Sequence, residues 1–169
     1  MTLSMYQASV PVFVRGLENL AAILAKGAAH AEARKIDPAV FINARLAPDM
    51  LHLARQVQIA SDAAKGCVAR LAGVEVPSFP DTETTFPELQ ARIARTIDFV
   101  KGFTPAQIDG SEERTCTLKT RNGEITHRGQ DYLLKLALPN FFFHVTTAYD
   151  ILRHNGVELG KMDYLGQLS

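Results

Sequence analysis

The sequence predicts an all-α fold, a four-helix bundle with a small β-hairpin before the last helix. Four long segments carry apolar residues at helical spacing, and a β-prone stretch around an Asn-Gly pair precedes the last of them. The chain of 169 residues is long enough to bury a core without disulfide or metal support. Because no linker or internal repeat divides it, we expect one bundle domain over residues 1–169.

The charge balance argues against several classes of partner. The chain has 18 basic and 18 acidic residues, whereas proteins that bind nucleic acid or anionic membranes usually carry a basic surplus. No apolar stretch approaches the roughly 20 residues of a membrane span, and the N-terminus lacks a signal-peptide pattern. Two cysteines are too few for a disulfide framework. We therefore expect a cytoplasmic protein without a nucleic-acid or membrane partner.

The first half of the chain predicts two long helices and one short helix. The first long helix covers about 4–29, with a serine N-cap and a bend at Pro11. An Asp-Pro pair then starts a short helix over 37–43. The second long helix covers about 48–72 and ends at Gly73, a residue that readily adopts the left-handed cap conformation.

The second half predicts two further helices separated by a hairpin. Thr85 and Glu88 form a capping-box pattern at the start of the third long helix, which ends near residue 102. Residues 115–128 form two short β-prone arms, which must pack on the helices because a lone hairpin is marginal. The last helix, over about 130–154, is apolar on nearly every face, so we expect it at the bundle centre with a kink at Pro139.

Four polar residues stand out on the apolar helices. His144 lies in the middle of the last helix with Asn140 one turn earlier, and Gln58 and Asp62 form a similar pair on the second long helix. If the two faces meet, these four residues form a buried ligand-binding or metal site. The other interpretation is a hydrogen-bond network in which a neutral His144 pairs with Gln58, Asp62 or a hydroxyl. The residues alone favour the network, because buried polar groups are normally paired.

A third interpretation places a metal site elsewhere on the second long helix, at His52 or Cys67. Against it, Cys67 has an apolar helical setting that is typical of a core residue. Cys116 has no neighbouring base that would activate its thiol. The sequence does not decide which residues would be the ligands of such a site.

The last helix also resembles a known family signature. The segment Asn140-Phe-Phe-Phe-His144-Val-Thr-Thr-Ala-Tyr-Asp-Ile-Leu-Arg-His-Asn-Gly156 is similar to the final helix of the DinB-like (YfiT-like) superfamily, where a His-x-x-x-His pair precedes a Leu-Arg-x-x-Gly ending. The whole chain resembles a bacterial branch of that superfamily known only as a domain of unknown function. The narrower match rests on the phrases Leu-Ala-Pro-Asp-Met, Arg-Gln-Val-Gln-Ile-Ala, Leu-Ala-Gly-Val-Glu-Val-Pro and Ala-Leu-Pro-Asn-Phe-Phe-Phe-His.

The resemblance implies a dimeric four-helix bundle with zinc or nickel held by three histidines and used in thiol-dependent chemistry. In this chain His144 matches the second histidine of the final-helix pair, and Asn140 takes the position of the first. Gln58 lies near the position of the third histidine, on the second long helix. A slip of the alignment by about a turn would make His52 the candidate there. The implied metal ligands Gln58, Asn140 and His144 thus include one imidazole, and amide oxygens are weak ligands for zinc and nickel.

Two functional hypotheses remain. The first is a metal- or small-ligand-binding bundle, of the thiol-transferase type if it is an enzyme, with Gln58, Asp62, Asn140 and His144 around its site. The second is a non-catalytic dimeric bundle whose polar cluster fixes helix packing. The apolar tail after residue 156 is expected to fold back over the bundle or to pack on a second subunit. The sequence names no cofactor, substrate or reaction.

Overall fold

Within residues 3–120 and 123–167, which the computed structural model describes, four long helices form the predicted bundle. They are α1 (Val10–Arg34), α3 (Leu53–Ala72), α4 (Phe86–Lys101) and α7 (Leu138–His154). Short helices lie between and after them: α2 (Pro38–Ile42), α5 (Pro105–Ile108), α6 (Gly129–Tyr132) and α8 (Lys161–Leu165). Strands β1 (Thr115–Thr120) and β2 (Gly123–Arg128) stand directly before α6. The predicted class, an all-α bundle with a hairpin before the last helix, is confirmed.

The bundle core lies where the long helices meet. Helices α1 and α3 each pack against both α4 and α7, so the four helices form a closed ring around apolar side chains. Fully buried side chains come from every long helix, among them Phe13, Leu17, Leu53, Leu71, Leu89, Ile93 and Phe141. In the described ranges no helix combines the length and the hydropathy that crossing a membrane requires.

Two helix boundaries differ from the prediction because tertiary contacts outweigh local signals. Helix α1 starts at Val10 and continues to Arg34, so residues 30–34, which follow the predicted end of this helix, are helical. Ala31 is fully buried there and anchors the last turn in the core. Helix α3 starts at Leu53, because residues 47–50 form a turn and the Leu53 amide bonds the carbonyl of Ala44.

The capping box at the start of α4 is confirmed. The Thr85 hydroxyl accepts a hydrogen bond from the Glu88 amide at 3.3 Å, and the Glu88 carboxylate accepts one from the Thr85 amide at 3.0 Å. Both contacts satisfy amide groups that the first helical turn leaves without an intrahelical partner. A further hydrogen bond, from the Thr84 amide at 2.7 Å, is the largest cause of a lowered pKa of the Glu88 carboxyl, and the contacts with Thr85 lower it further.

The hairpin and the start of the last helix together form one end of the bundle. Strands β1 and β2 pair antiparallel, from Thr115 opposite Arg128 to Thr120 opposite Gly123. The predicted Asn-Gly turn lies in part outside the described residues. Residues 133–137 form a turn of π-helix directly before α7. This wide turn precedes Pro139, whose ring would otherwise meet a carbonyl of the preceding turn.

The tail folds back over its own bundle, one of the two outcomes expected for it. The Arg15 guanidinium donates to the carbonyl of Leu165 at 2.7 Å, and Asn19 donates to that of Tyr164 at 2.9 Å. Lys26 forms an ion pair with Asp163 at 2.6 Å. Helix α8 is therefore held on α1 by polar contacts at its surface.

A close backbone approach at Gly129 allows a specific stability prediction. A Cβ atom at this position would lie 2.0 Å from the carbonyl oxygen of Ser111, so Gly129→Ala must displace the chain. We expect a loss of about 1–3 kcal/mol in the free energy of unfolding, measured by urea denaturation. Gly160→Ala is the matched control, because its Cβ would meet nothing within 4 Å. Equal stability of the two variants would contradict the prediction.

Candidate functional site

His144 pairs with Gln56 in the interior between α3 and α7. The His144 Nδ1 atom lies 2.6 Å from Gln56 Oε1, and the two residues are 8% and 1% exposed. The Gln56 amide nitrogen donates to the carbonyl of Leu51 at 2.8 Å, which leaves its oxygen as the acceptor. His144 therefore carries its proton on Nδ1 and donates it to Gln56.

The environment of His144 favours its neutral form. Burial lowers the pKa of the imidazole below its usual value, and the nearby positive charge of Arg55 lowers it further. The neutral state agrees with the expected network, but the expected partners, Gln58 and Asp62, do not bond this ring. The reason is helix geometry, because Gln56 and Gln58 are about 200° apart around α3 and face different neighbours.

Gln58 and Asp62 instead join an ion-pair network around Arg92 of α4. The Arg92 side chain is 1% exposed, and its guanidinium contacts Asp62, Asp81 and Glu83, each at 3.0 Å. The Gln58 amide nitrogen donates to Glu83 at 2.9 Å. Because Asp81 and Glu83 belong to the loop between α3 and α4, residues 73–85, the network ties this α3–α4 loop to both helices.

The Arg92 network is electrically balanced. Arg55 pairs with Asp81, and Lys65 pairs with Asp62 at 2.8 Å. Lys65 and Arg95 also lie over the ring of Phe79, at 4.1 and 3.9 Å from its centre. The network joins three cations to three carboxylates, the cations being Arg55, Lys65 and Arg92 and the acids Asp62, Asp81 and Glu83.

Sequence reasoning missed Arg92 and its two loop acids. One signal was present, since Arg92 lies three residues after Leu89 and one before Ile93 and thus on the apolar stripe of α4. A charge on such a stripe calls for a buried partner. Two of its three partners, Asp81 and Glu83, stand in an irregular loop, where no periodicity could single them out.

Asn140 and Asp62 line a cavity of about 350 Å³ between α3, α7 and the hairpin. Its apolar walls come from all three elements: Ile59, Ala63, Leu118, Ile125, Leu136 and Ala137. Its other polar residues are Arg70 and Tyr132, whose guanidinium and hydroxyl are 3.1 Å apart. Within the described chain the Asn140 side chain has no hydrogen-bond partner. The structure thus brings two of the four predicted residues to one cavity, while Gln58 and His144 lie outside its lining.

The metal ligands implied by the resemblance do not fit this arrangement. No hydrogen bond joins Gln58, Asn140 and His144 within the described ranges, and both polar atoms of the Gln58 amide are engaged by Arg55 and Glu83. The described chain has no group of three His, Cys, Asp or Glu side chains that could hold a metal ion. The donor set is therefore unsuited to zinc or nickel.

The alternative ligands on α3 lie in separate surroundings. His52 is the N-cap residue of α3 and lines a polar cavity with Gln58 and Glu83. Cys67 is fully buried, and burial raises the pKa of its thiol far above its usual value. Fifteen residues along one helix separate His52 and Cys67 by about 22 Å. They could not share one ion.

The His144–Gln56 pair gives the second prediction. His144→Leu should lower the free energy of unfolding by about 1–3 kcal/mol, because it leaves the buried Gln56 oxygen without a donor. The double variant His144→Leu/Gln56→Leu should recover most of this loss, since it removes both partners of the hydrogen bond. Urea denaturation of the single and double variants measures the coupling. Additive losses would show that the pair does not act as a unit.

Comparisons with known proteins agree with this architecture. The family model described as a domain of unknown function, DUF1993, matches residues 5–165. A crystal structure of a DinB family member protein from Shewanella denitrificans is 44% identical, with a TM-score of 0.87, over 96% of this chain and 92% of that chain. No protein with a curated description matches. The chain therefore belongs to the DUF1993 family and has the DinB-like fold.

Proposed function

We propose that this DinB-like protein binds a small organic molecule in the cavity between α3, α7 and the hairpin. One observation carries the proposal: Arg70, Tyr132 and Asn140 converge on a cavity of about 350 Å³ whose remaining walls are mostly apolar. Small-molecule sites combine apolar walls with a few placed polar groups and start at about 300 Å³. The proposal retains Asp62 and Asn140 as ligand-site residues, with His144 one turn from Asn140 on α7.

Separate elements of the fold supply the walls of this cavity. Leu118 and Ile125 are directly opposite each other on β1 and β2, so the hairpin contributes one cross-strand apolar pair. Leu136 and Ala137 belong to the π-helical turn before α7. Single π-helical turns often occur at functional sites, because they displace side chains from the regular helical positions. The irregular turn is thus a second feature that favours this location.

The lining groups are suited to recognition. Burial raises the pKa of the Tyr132 hydroxyl to about 12, so the phenol stays protonated at neutral pH. Asp62 Oδ1 already accepts bonds from Lys65 and Arg92. An amide, a guanidinium and a neutral phenol each donate hydrogen bonds to a ligand. We therefore propose a binding protein.

The third prediction tests the cavity by filling it. Ala63→Phe places a ring in the space that Ala63 borders, so we expect small molecules to bind at least about tenfold more weakly. The measurement is a nitrogen-15 NMR titration with hexanol, benzamide and hexanoate. Shifts should cluster at the amides of residues 59–63, 118 and 136–140 and disappear in the variant.

Ala22→Phe is the matched control, because Ala22 is an exposed alanine of α1. It should leave the titration unchanged. Shifts that map to another part of the protein, or that persist in Ala63→Phe, would contradict the proposed site.

A second candidate function is structural, and the Arg92 network favours it. Gln58 and Asp62, two of the predicted site residues, act there to hold the α3–α4 loop on the bundle. On this view the Arg92 network fixes the packing of the helices, which is the role that the second hypothesis from the sequence gives to the polar residues.

The homodimer implied by the resemblance stays a prediction. Phe142 and Phe143, which are 37% and 56% exposed on α7, are apolar side chains that such a contact could cover.

The fourth prediction measures what the network contributes. Arg92→Met should lower the free energy of unfolding by about 3 kcal/mol, because it leaves three carboxylates without their shared cation. Arg95→Met on the same helix is the control and should cost about 1 kcal/mol or less, since Arg95 contributes a cation–π contact with Phe79. Both are measured by urea denaturation. Similar losses in the two variants would contradict a central role for Arg92.

A further inference from the structure

Arg70 differs from the other cations near the cavity. Its Nη1 atom donates to the Tyr132 hydroxyl at 3.1 Å and its Nε atom to the carbonyl of Thr117 at 3.3 Å. Both acceptors are uncharged, and within the described chain no carboxylate lies within ion-pair distance of Arg70. Lys65 and Arg92, by contrast, each pair with a carboxylate. The half-buried guanidinium of Arg70 therefore lines the cavity with its charge uncompensated.

Gly66 provides the space that Arg70 occupies. A Cβ atom on Gly66 would lie 2.5 Å from Arg70 Nη1, so the guanidinium rests against the helix where a side chain is missing. Glycine inside a helix costs roughly 1 kcal/mol relative to alanine. The Tyr132 hydroxyl and the Thr117 carbonyl hold the group from the other side. The cation is thus positioned before any ligand arrives, which lowers the cost of binding.

Asp62 does not neutralise this charge. Its Oδ1 atom contacts Lys65 at 2.8 Å and Arg92 at 3.0 Å, and it belongs to the balanced network of three cations and three acids. Arg70 stands outside that network. An anionic group of a ligand would therefore find a guanidinium without a charged partner among largely apolar walls, and charge-assisted hydrogen bonds are stronger than neutral ones.

We propose that the ligand is a small carboxylate with an apolar body, bound by Arg70. This inference rests on the proposed binding function and names its ligand class. Unused Arg70 donors would bind the carboxylate, with the Tyr132 hydroxyl proton and the Asn140 amide as further donors. At roughly 30 Å³ for each water-sized group, the cavity holds a body of about ten non-hydrogen atoms.

The fifth prediction compares two probes of nearly equal shape, hexanoate and hexanamide, by isothermal titration calorimetry. The wild-type protein should bind hexanoate at least about tenfold more tightly, because charged hydrogen bonds exceed neutral ones. Arg70→Met should abolish this preference, whereas Arg70→Lys, which keeps the charge, should retain part of it. Gly66→Ala should weaken hexanoate binding by displacing the guanidinium, although alanine favours the helix.

Arg153→Met is the control, because Arg153 is an exposed arginine at the end of α7. It should bind both probes like the wild type, and circular dichroism should show every variant folded. Equal affinity for the two probes, with both lost in Ala63→Phe, would overturn the carboxylate inference and keep the binding cavity. Binding of neither probe to the wild type would overturn the inference and argue against the cavity. Retention of the hexanoate preference in Arg70→Met would also overturn it.

Discussion

The buried guanidinium of Arg92 determines how the other polar groups of the bundle are arranged. It engages Asp62, Asp81 and Glu83, and Glu83 in turn engages Gln58. A buried arginine is tolerated when acceptors surround it, so these side chains are committed to one another. His144 is left to pair with an amide on another face of α3. The cavity beside the network then retains a guanidinium and an amide without charged partners.

This arrangement is unlike the metal centre that the resemblance implies. The three-histidine set implied by the resemblance needs imidazoles that converge from α3 and α7. Here the imidazole of His144 donates its Nδ1 proton to Gln56, and the amide of Gln58 faces the α3–α4 loop. Of the polar groups that remain open to a ligand, Asn140 lies one turn from His144 on α7, and Arg70 lies on α3.

Much of the fold was predictable because its signals are local. The capping box at Thr85 depends on residues three apart, and the hairpin arms and the final helix are marked by their own composition. The start of α3, predicted near residue 48, lies at Leu53, because residues 47–50 form a turn and the Leu53 amide bonds the carbonyl of Ala44. For the site, helical spacing predicted a buried His144 with Gln58, Asp62 or a hydroxyl as its partner, whereas the partner is Gln56. Which glutamine faces His144 depends on the rotation of α3 about its axis. The Arg92 network depends on loop residues that follow no period. Helical spacing therefore predicts neither.

The balanced charges around Arg92 also determine how the protein responds to salt. Dissolved ions screen interactions over a Debye length of about 8 Å at physiological ionic strength, and they act weakly on contacts that water barely reaches. The Arg92 side chain is 1% exposed, whereas its partners Glu83, Asp81 and Asp62 are 13%, 36% and 41% exposed. Dissolved ions therefore reach the carboxylates of Asp62 and Asp81 more readily than that of Glu83. The attachment of the α3–α4 loop is thus least sensitive to the ionic medium at Glu83 and more sensitive at Asp81.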